Sequence, residues 1–313
     1  MAASLIQNSL QLNFDSVLSF PDEGLVQMFK SLESTGLRGF LGCLSVLYED
    51  DLVVLFADGF VRENAVISCV QGKFVEISEE QFAGVFGLPT EGLNSMDEVP
   101  KDLIYDARSV FSASGEPIKT SCKNKKMKIE FLLLNDILEK YVNVKAGSFD
   151  AVTHELFLLM TAIHFVLKIN WSHILFDIFK DMVTKSSKQA KGFAAQICVL
   201  LKGAPDLTLG EAKTFPPLKI LTIKTVGTYF AKNKSITAEE VSDEPPVEKV
   251  VKKAAAKRRQ APAEPVAKRK RTTVGRAAPT ERIWRLDQWS KILNQFLLYR
   301  LRAPPSRGDK LRK

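Results

Sequence analysis

The chain has little of what usually announces a chemistry. It holds three histidines and four cysteines in 313 residues. Cys43, Cys69, Cys122 and Cys198 stand far apart with no C-x-x-C pair, which removes the common zinc-ribbon and dithiol patterns. His154, His164 and His173 have neither the i, i+4 spacing nor the cysteine neighbours of a zinc site. No G-x-S-x-G elbow is present, Asp58-Gly59 is not the D-T/S-G of an aspartic protease, and Gly72-Lys73 lacks the preceding glycine of a phosphate-cradling loop. The expectation is therefore no catalytic residue, no metal, no cofactor and no small-molecule substrate. Long apolar runs are missing too. The longest, Leu156–Leu167, is broken by Thr161 and His164 and stops at Lys168, short of the about 20 apolar residues that cross a bilayer. Met1–Leu5 shows neither a basic leader nor an apolar stretch, so secretion and membrane contact are not expected, and the thiols read as reduced and mostly buried.

What is present is enough apolar material for a core. Hydrophobic residues make up 45% of the chain, phenylalanine alone contributes 20, and the mean hydropathy is −0.03. That composition belongs to a chain that folds over most of its length. Charge is divided along it. Residues 1–251 carry 25 basic and 32 acidic side chains, net −7, whereas residues 252–313 carry 19 and 4, net +15. An acidic body joined to a cationic tail points to a tail that meets polyanions or an import receptor.

Periodicity predicts an α+β fold: a predominantly helical body with one short β-hairpin, over residues 1–235. Pro21-Asp22-Glu23 opens a helix with Leu25, Met28, Phe29 and Leu32 on one face, and Leu37–Leu47 continues at helical spacing. Val66–Val70 and Phe74–Ile77 flank Gln71-Gly72-Lys73 and read as the hairpin. Ser78 and Gln81 form a capping box for a short helix that ends at Gly87, before Pro89. Residues 90–127 read as loop-rich, with Gly92, Pro100, Gly115 and Pro117. Helical patterning resumes over Ile129–Val142, the densest core segment spans Phe149–Val183, and Ala190–Leu201 gives one more helix; Leu218–Phe230 fits helix or strand.

From 236 to 281 there is no aromatic residue, and such a segment is expected to be a disordered basic linker. It contains Lys257-Arg258-Arg259, an eight-residue spacer and Lys268-Arg269-Lys270-Arg271. Two basic clusters in an extended segment suit the acidic grooves of a nuclear import receptor, and suit DNA or RNA phosphates equally. Trp284, Trp289, Ile292 and Phe296 then recur at helical spacing over 282–303, an amphipathic helix ahead of a basic end at 304–313. It can lie on an anionic membrane, fill a partner's groove or dock on its own body; a protein partner or self-association is the preferred reading, with no membrane. The lysines at 123, 125, 126 and 128 read first as a solvated loop, with phosphate contact as the alternative. Tyr48-Glu49-Asp50-Asp51 matches the Y-x-D-D of reverse-transcriptase metal hairpins, but a third aspartate on a separate upstream strand has no counterpart. The preferred reading is an exposed acidic turn, and an inactive remnant of such an enzyme is a distant alternative.

Phe56–Arg62, Ile67–Ser78, Phe82-Ala83 and Phe86–Pro89 form a pattern with V-x-G-K-x-V-x-I-S and F-x-L-P at its centre. Ala162–His164, Asn170–Phe176 and Lys191–Ala194 continue it downstream. Over about residues 25–235 the chain resembles the plant transposon protein domain of plant retroelement-derived open reading frames. The resemblance implies a small, mostly helical domain with one hairpin and brings no catalytic residue with it. The function expected is that of a non-catalytic, element-derived nuclear protein that associates with nucleic acid, with itself, or with both. A nuclear protein-interaction module without nucleic-acid contact is the alternative.

Overall fold

Asp22 accepts from the Leu25 amide at 3.0 Å and starts a helix that buries Leu25, Met28, Phe29 and Leu32, as their spacing requires. The structure, a computed structural model, describes residues 9–143, 151–187 and 189–240. Eleven helices and seven short strands lie among them. In chain order the helices are α1 (Phe14–Val17), α2 (Glu23–Ser34), α3 (Arg38–Leu41), α4 (Glu49–Asp58), α5 (Glu79–Phe86), α6 (Lys101–Val110), α7 (Ile129–Leu138), α8 (His154–His164), α9 (Trp171–Val183), α10 (Ala194–Lys202) and α11 (Ile223–Glu240). The strands are β1 (Gln11–Leu12), β2 (Phe60–Arg62), β3 (Ala65–Val70), β4 (Lys73–Ser78), β5 (Cys122–Lys123), β6 (Ala151–Val152) and β7 (Ile220–Leu221). The fold is α+β with a helical body.

The expected hairpin is present and gains a strand. β2, β3 and β4 form an antiparallel meander in which Phe60 pairs with Ile67, Val66 with Ile77 and Val70 with Lys73. Gln71 and Gly72 turn the chain with φ of +50° and +72°, so the connection is the two-residue turn with both central angles positive, one residue shorter than expected. The Ser78–Gln81 capping box closes in both directions, and α5 ends at Gly87 in the left-handed conformation.

The core is contiguous from Leu12 to Val226. Phe40, fully buried on α3, has its ring centroid 5.0–5.8 Å from those of Phe82, Phe86, Tyr141 and Phe193, which lie on or beside three other elements. Phe82 extends the cluster to Phe176 and Phe179 on α9. Such edge-on and tilted pairs add about 0.5–1.5 kcal/mol each beyond area burial. Gly39 permits the crossing, because a Cβ there would stand 2.0 Å from the Phe86 carbonyl oxygen. α9 packs on α5 and β2, and α7 packs on α2 and α8.

One expectation is corrected and two are refined. The helical spacing of Leu37–Leu47 yields helix only to Leu41; Gly42 ends it, and Leu47 instead exchanges backbone hydrogen bonds with Lys213 at 2.8 Å in both directions. The segment 90–127 contains a helix, α6, with one fully buried side chain, Ala107. Leu218–Phe230 is divided, with β7 pairing parallel to β1 before α11 begins. α11 runs to Glu240. The remainder of the expected linker, the amphipathic segment at 282–303 and the end at 304–313 lie outside the described residues.

Candidate functional site

Tyr48–Asp51 is neither a hairpin nor an exposed turn. Glu49, Asp50 and Asp51 form the first turn of α4, where the helix dipole favours carboxylates. Asp51 is 1% exposed and accepts from Gln71 Nε2 at 2.6 Å and from the Gly210 amide at 2.8 Å. Glu49 takes Lys213 Nζ at 2.8 Å, and Asp50 faces solvent. The three acids thus diverge into a buried tether, a surface ion pair and an exposed side chain. Among the described residues no group of three or more His, Cys, Asp and Glu side chains is placed to hold a metal ion.

The histidines are also apart. His164 packs edge-on against Phe111, Phe131 and Phe165, and burial, then the nearby Lys128 charge, pushes its pKa down. His173 pairs with Asp177 at 3.4 Å one turn away. The four thiols are free and are all pushed upward, by burial first, Cys43 to about 12 and Cys198 to about 11. Groups held so far towards the neutral form are poor nucleophiles. No helix among the described residues is long and apolar enough to cross a membrane.

The arrangement that collects unused charge is around α6. Lys101, Ile104, Tyr105 and Arg108 recur at i, i+3, i+4 and i+7 and share one helix face, whereas Asp102 and Asp106 fall to its side. Opposite that face runs the segment after Pro117. Ile118 is buried and its amide donates to the Arg108 carbonyl at 3.0 Å, while Arg108 Nε donates to the Ile118 carbonyl at 2.7 Å. This reciprocal pair fixes a groove of about 460 Å³ lined by the α6 face together with Lys119, Thr120 and Ser121. Beyond it, Cys122 pairs with Val152 across β5 and β6, the Ala113 amide donates to the Lys126 carbonyl at 3.0 Å, and the Lys128 amide to that of Phe111 at 2.9 Å. The lysine segment is thereby pinned along the C-terminal end of α6.

Between Glu116 and Glu130 the chain carries five lysines and no acid, on a body whose net charge is −7. Lys119, Lys123, Lys125, Lys126 and Lys128 are all exposed, and so is Lys101. No carboxylate stands within ion-pair distance of Lys101, Arg108, Lys119, Lys123, Lys126 or Lys128 among the described residues. Tyr105 sits among these cations with 64% of its surface exposed and the Arg108 guanidinium 5.9 Å from its ring centroid. The arrangement can neutralise phosphates along one surface and offers an aromatic face in its midst.

The sequence reading placed the lysines at 123–128 in a solvated loop; their side chains are exposed, on β5, a 3₁₀ turn and its flanks. It missed Lys101, Tyr105 and Arg108, whose i, i+4, i+7 spacing was the available signal. The expected import and phosphate-binding residues (Lys257, Arg258, Arg259, Lys268, Arg269, Lys270 and Arg271) and the anchors Trp284, Trp289, Ile292 and Phe296 lie outside the described residues. No family model, no curated protein and no solved structure matches the chain.

Proposed function

We propose that this is a non-catalytic nuclear protein, derived from a plant transposable element, that holds nucleic acid through its phosphates. An import receptor carries it to the nucleus by the clusters at 257–259 and 268–271. The observation that supports phosphate binding is that Lys101, Lys119, Lys123, Lys126 and Lys128 have no carboxylate within ion-pair distance among the described residues, on a body with excess acid, a cationic character repeated in composition by the tail. Cations that stabilised the fold would be paired with its abundant carboxylates, as Arg38 is with Asp15 and Glu33. The V-x-G-K-x-V-x-I-S pattern, on β3 and β4, supports the element-derived origin. Self-association through the segment at 282–303 is compatible with this role, since several weak cationic surfaces on one assembly hold a strand more tightly than one.

The reading is tested by anisotropy of labelled oligonucleotides of arbitrary sequence with the full chain at increasing salt. Affinity should fall linearly in log–log form, with a slope of about −0.7 per phosphate neutralised on single strands and about −0.9 on duplex. Replacing the seven tail cations with alanine should flatten that slope. Binding that ignores salt, or association only with proteins, favours the interaction module without nucleic-acid contact.

A further inference from the structure

From the groove between α6 and Lys119–Ser121 we infer a single-strand site: a nucleobase stacks on Tyr105 while Lys101, Lys119 and Arg108 take the flanking phosphates. This rests on the phosphate-binding reading above and names the form of nucleic acid that the body prefers. Tyr105, a large aromatic side chain at 64% exposure on a helix, contributes little to the core, and the burial of α6 is carried by Ala107, with Ile104 and Val110 partly covered. The neighbours of Tyr105 on the same face are Lys101, Arg108 and the partly covered Ile104, so cations outnumber apolar residues around the ring. The guanidinium of Arg108 is held by its bond to the Ile118 carbonyl, so a cation stands at the ring in advance of any ligand.

Cations that track a backbone, with an aromatic ring among them, are the combination that recognises unpaired nucleotides. In a duplex the base faces are stacked on one another and unavailable to Tyr105, so duplex gains only the phosphate contacts. Thr120 and Ser121 add hydroxyls at the groove wall, able to donate to phosphate or sugar oxygens. The lysines at 123–128, hydrogen-bonded through their backbone to the end of α6, continue the cationic surface away from the groove. A strand bound at Tyr105 has somewhere to run. An acidic peptide would satisfy the lysines but offers no aromatic base to stack on the ring.

The test uses the full-length chain with Lys257, Arg258, Arg259 and Lys268–Arg271 replaced by alanine, so that tail contacts do not mask the groove. In that background Tyr105→Ala should weaken binding of a labelled single-stranded oligonucleotide about tenfold and leave duplex affinity within about twofold. Tyr105→Phe should retain the single-strand affinity, which a loss of folding would not allow. Lys101→Ala with Lys119→Ala should weaken both forms and reduce the single-strand salt slope by about 1.4. If Tyr105→Ala leaves single-strand affinity unchanged while the intact tail still binds, the groove assignment fails and the phosphate-binding reading stands. If the unmodified chain binds neither form, both fail. Equal Tyr105 dependence for a glutamate-rich peptide would overturn the nucleic-acid assignment.

Discussion

The Asp51 carboxylate, inside the protein and bonded to a side chain from the hairpin turn and to the Gly210 backbone, joins three distant parts of the chain. Hydrogen bonds to a charged group contribute about 1.5–3 kcal/mol each. Asp51→Ala is expected to lower unfolding stability by about 2–4 kcal/mol, read as a shift in the urea midpoint. Asp50→Ala, at an exposed position on the same turn, should change it by about 0.5 kcal/mol or less. Two adjacent aspartates that served one metal would instead show similar effects on a shared activity and little on stability. The contrast is a direct reading of why Tyr48-Glu49-Asp50-Asp51 looks like a metal motif. Residue types and spacing were on the page, and which carboxylate turns inward depends on Gln71 and Gly210, far away in sequence.

At the scale of elements, α11 is attached to α7 through a polar contact in a partly buried setting. Tyr229 Oη donates to Asp136 Oδ2 at 2.8 Å, beside Glu139, Lys140 and Lys219. Burial pushes the Asp136 carboxyl up, and the Tyr229 hydrogen bond and the Lys140 charge oppose it; burial likewise pushes Glu139 up. Both carboxyls hold a proton more tightly folded than unfolded. Between the ordinary carboxyl range, near about 4, and their raised folded values, the folded state binds more protons. Stability from these groups therefore falls as pH rises through that window and does not return above it. Asp136→Asn should flatten the fall in Tm across the window, and Tyr229→Phe, which removes a bond that opposes the shift, should steepen it. Calorimetric scans at half-unit pH steps check both. The elements themselves differ in how far sequence revealed them. The Ser78–Gln81 box and the glycine turn at Gly72 are local signals and were legible. α6 was not, although Leu103, Ile104, Ala107 and Val110 recur at helical spacing, because Gly92, Pro100, Gly115 and Pro117 around it read as loop signals, and the end of α3 was not, because the pairing of Leu47 with Lys213 is non-local.

On the scale of the whole molecule, the proposed function divides an address from a binding surface, and the two are separable by experiment. The proposed address is the pair of clusters at 257–259 and 268–271, and the proposed surface is the groove and lysine segment of the body. The basic clusters were legible because a charge run needs no folding to be recognised. In the body the lysine run at 119–128 was legible for the same reason, whereas the Lys101–Arg108 face, balanced in sequence by Asp102 and Asp106, became visible only when the fold laid it beside that run. If the division is real, a fluorescent fusion of the full chain with Lys268–Arg271 changed to alanine should lose nuclear accumulation. The same fusion carrying Tyr105→Ala should still accumulate there, but exchange faster after photobleaching because its single-strand contacts are weakened. Charge density alone, acting anywhere on the molecule, would instead make import respond equally to loss of four cations at 268–271 or at 123–128. Replacing Lys123, Lys125, Lys126 and Lys128 with alanine is the matched control, and unchanged import with reduced nuclear retention is the result that the division requires.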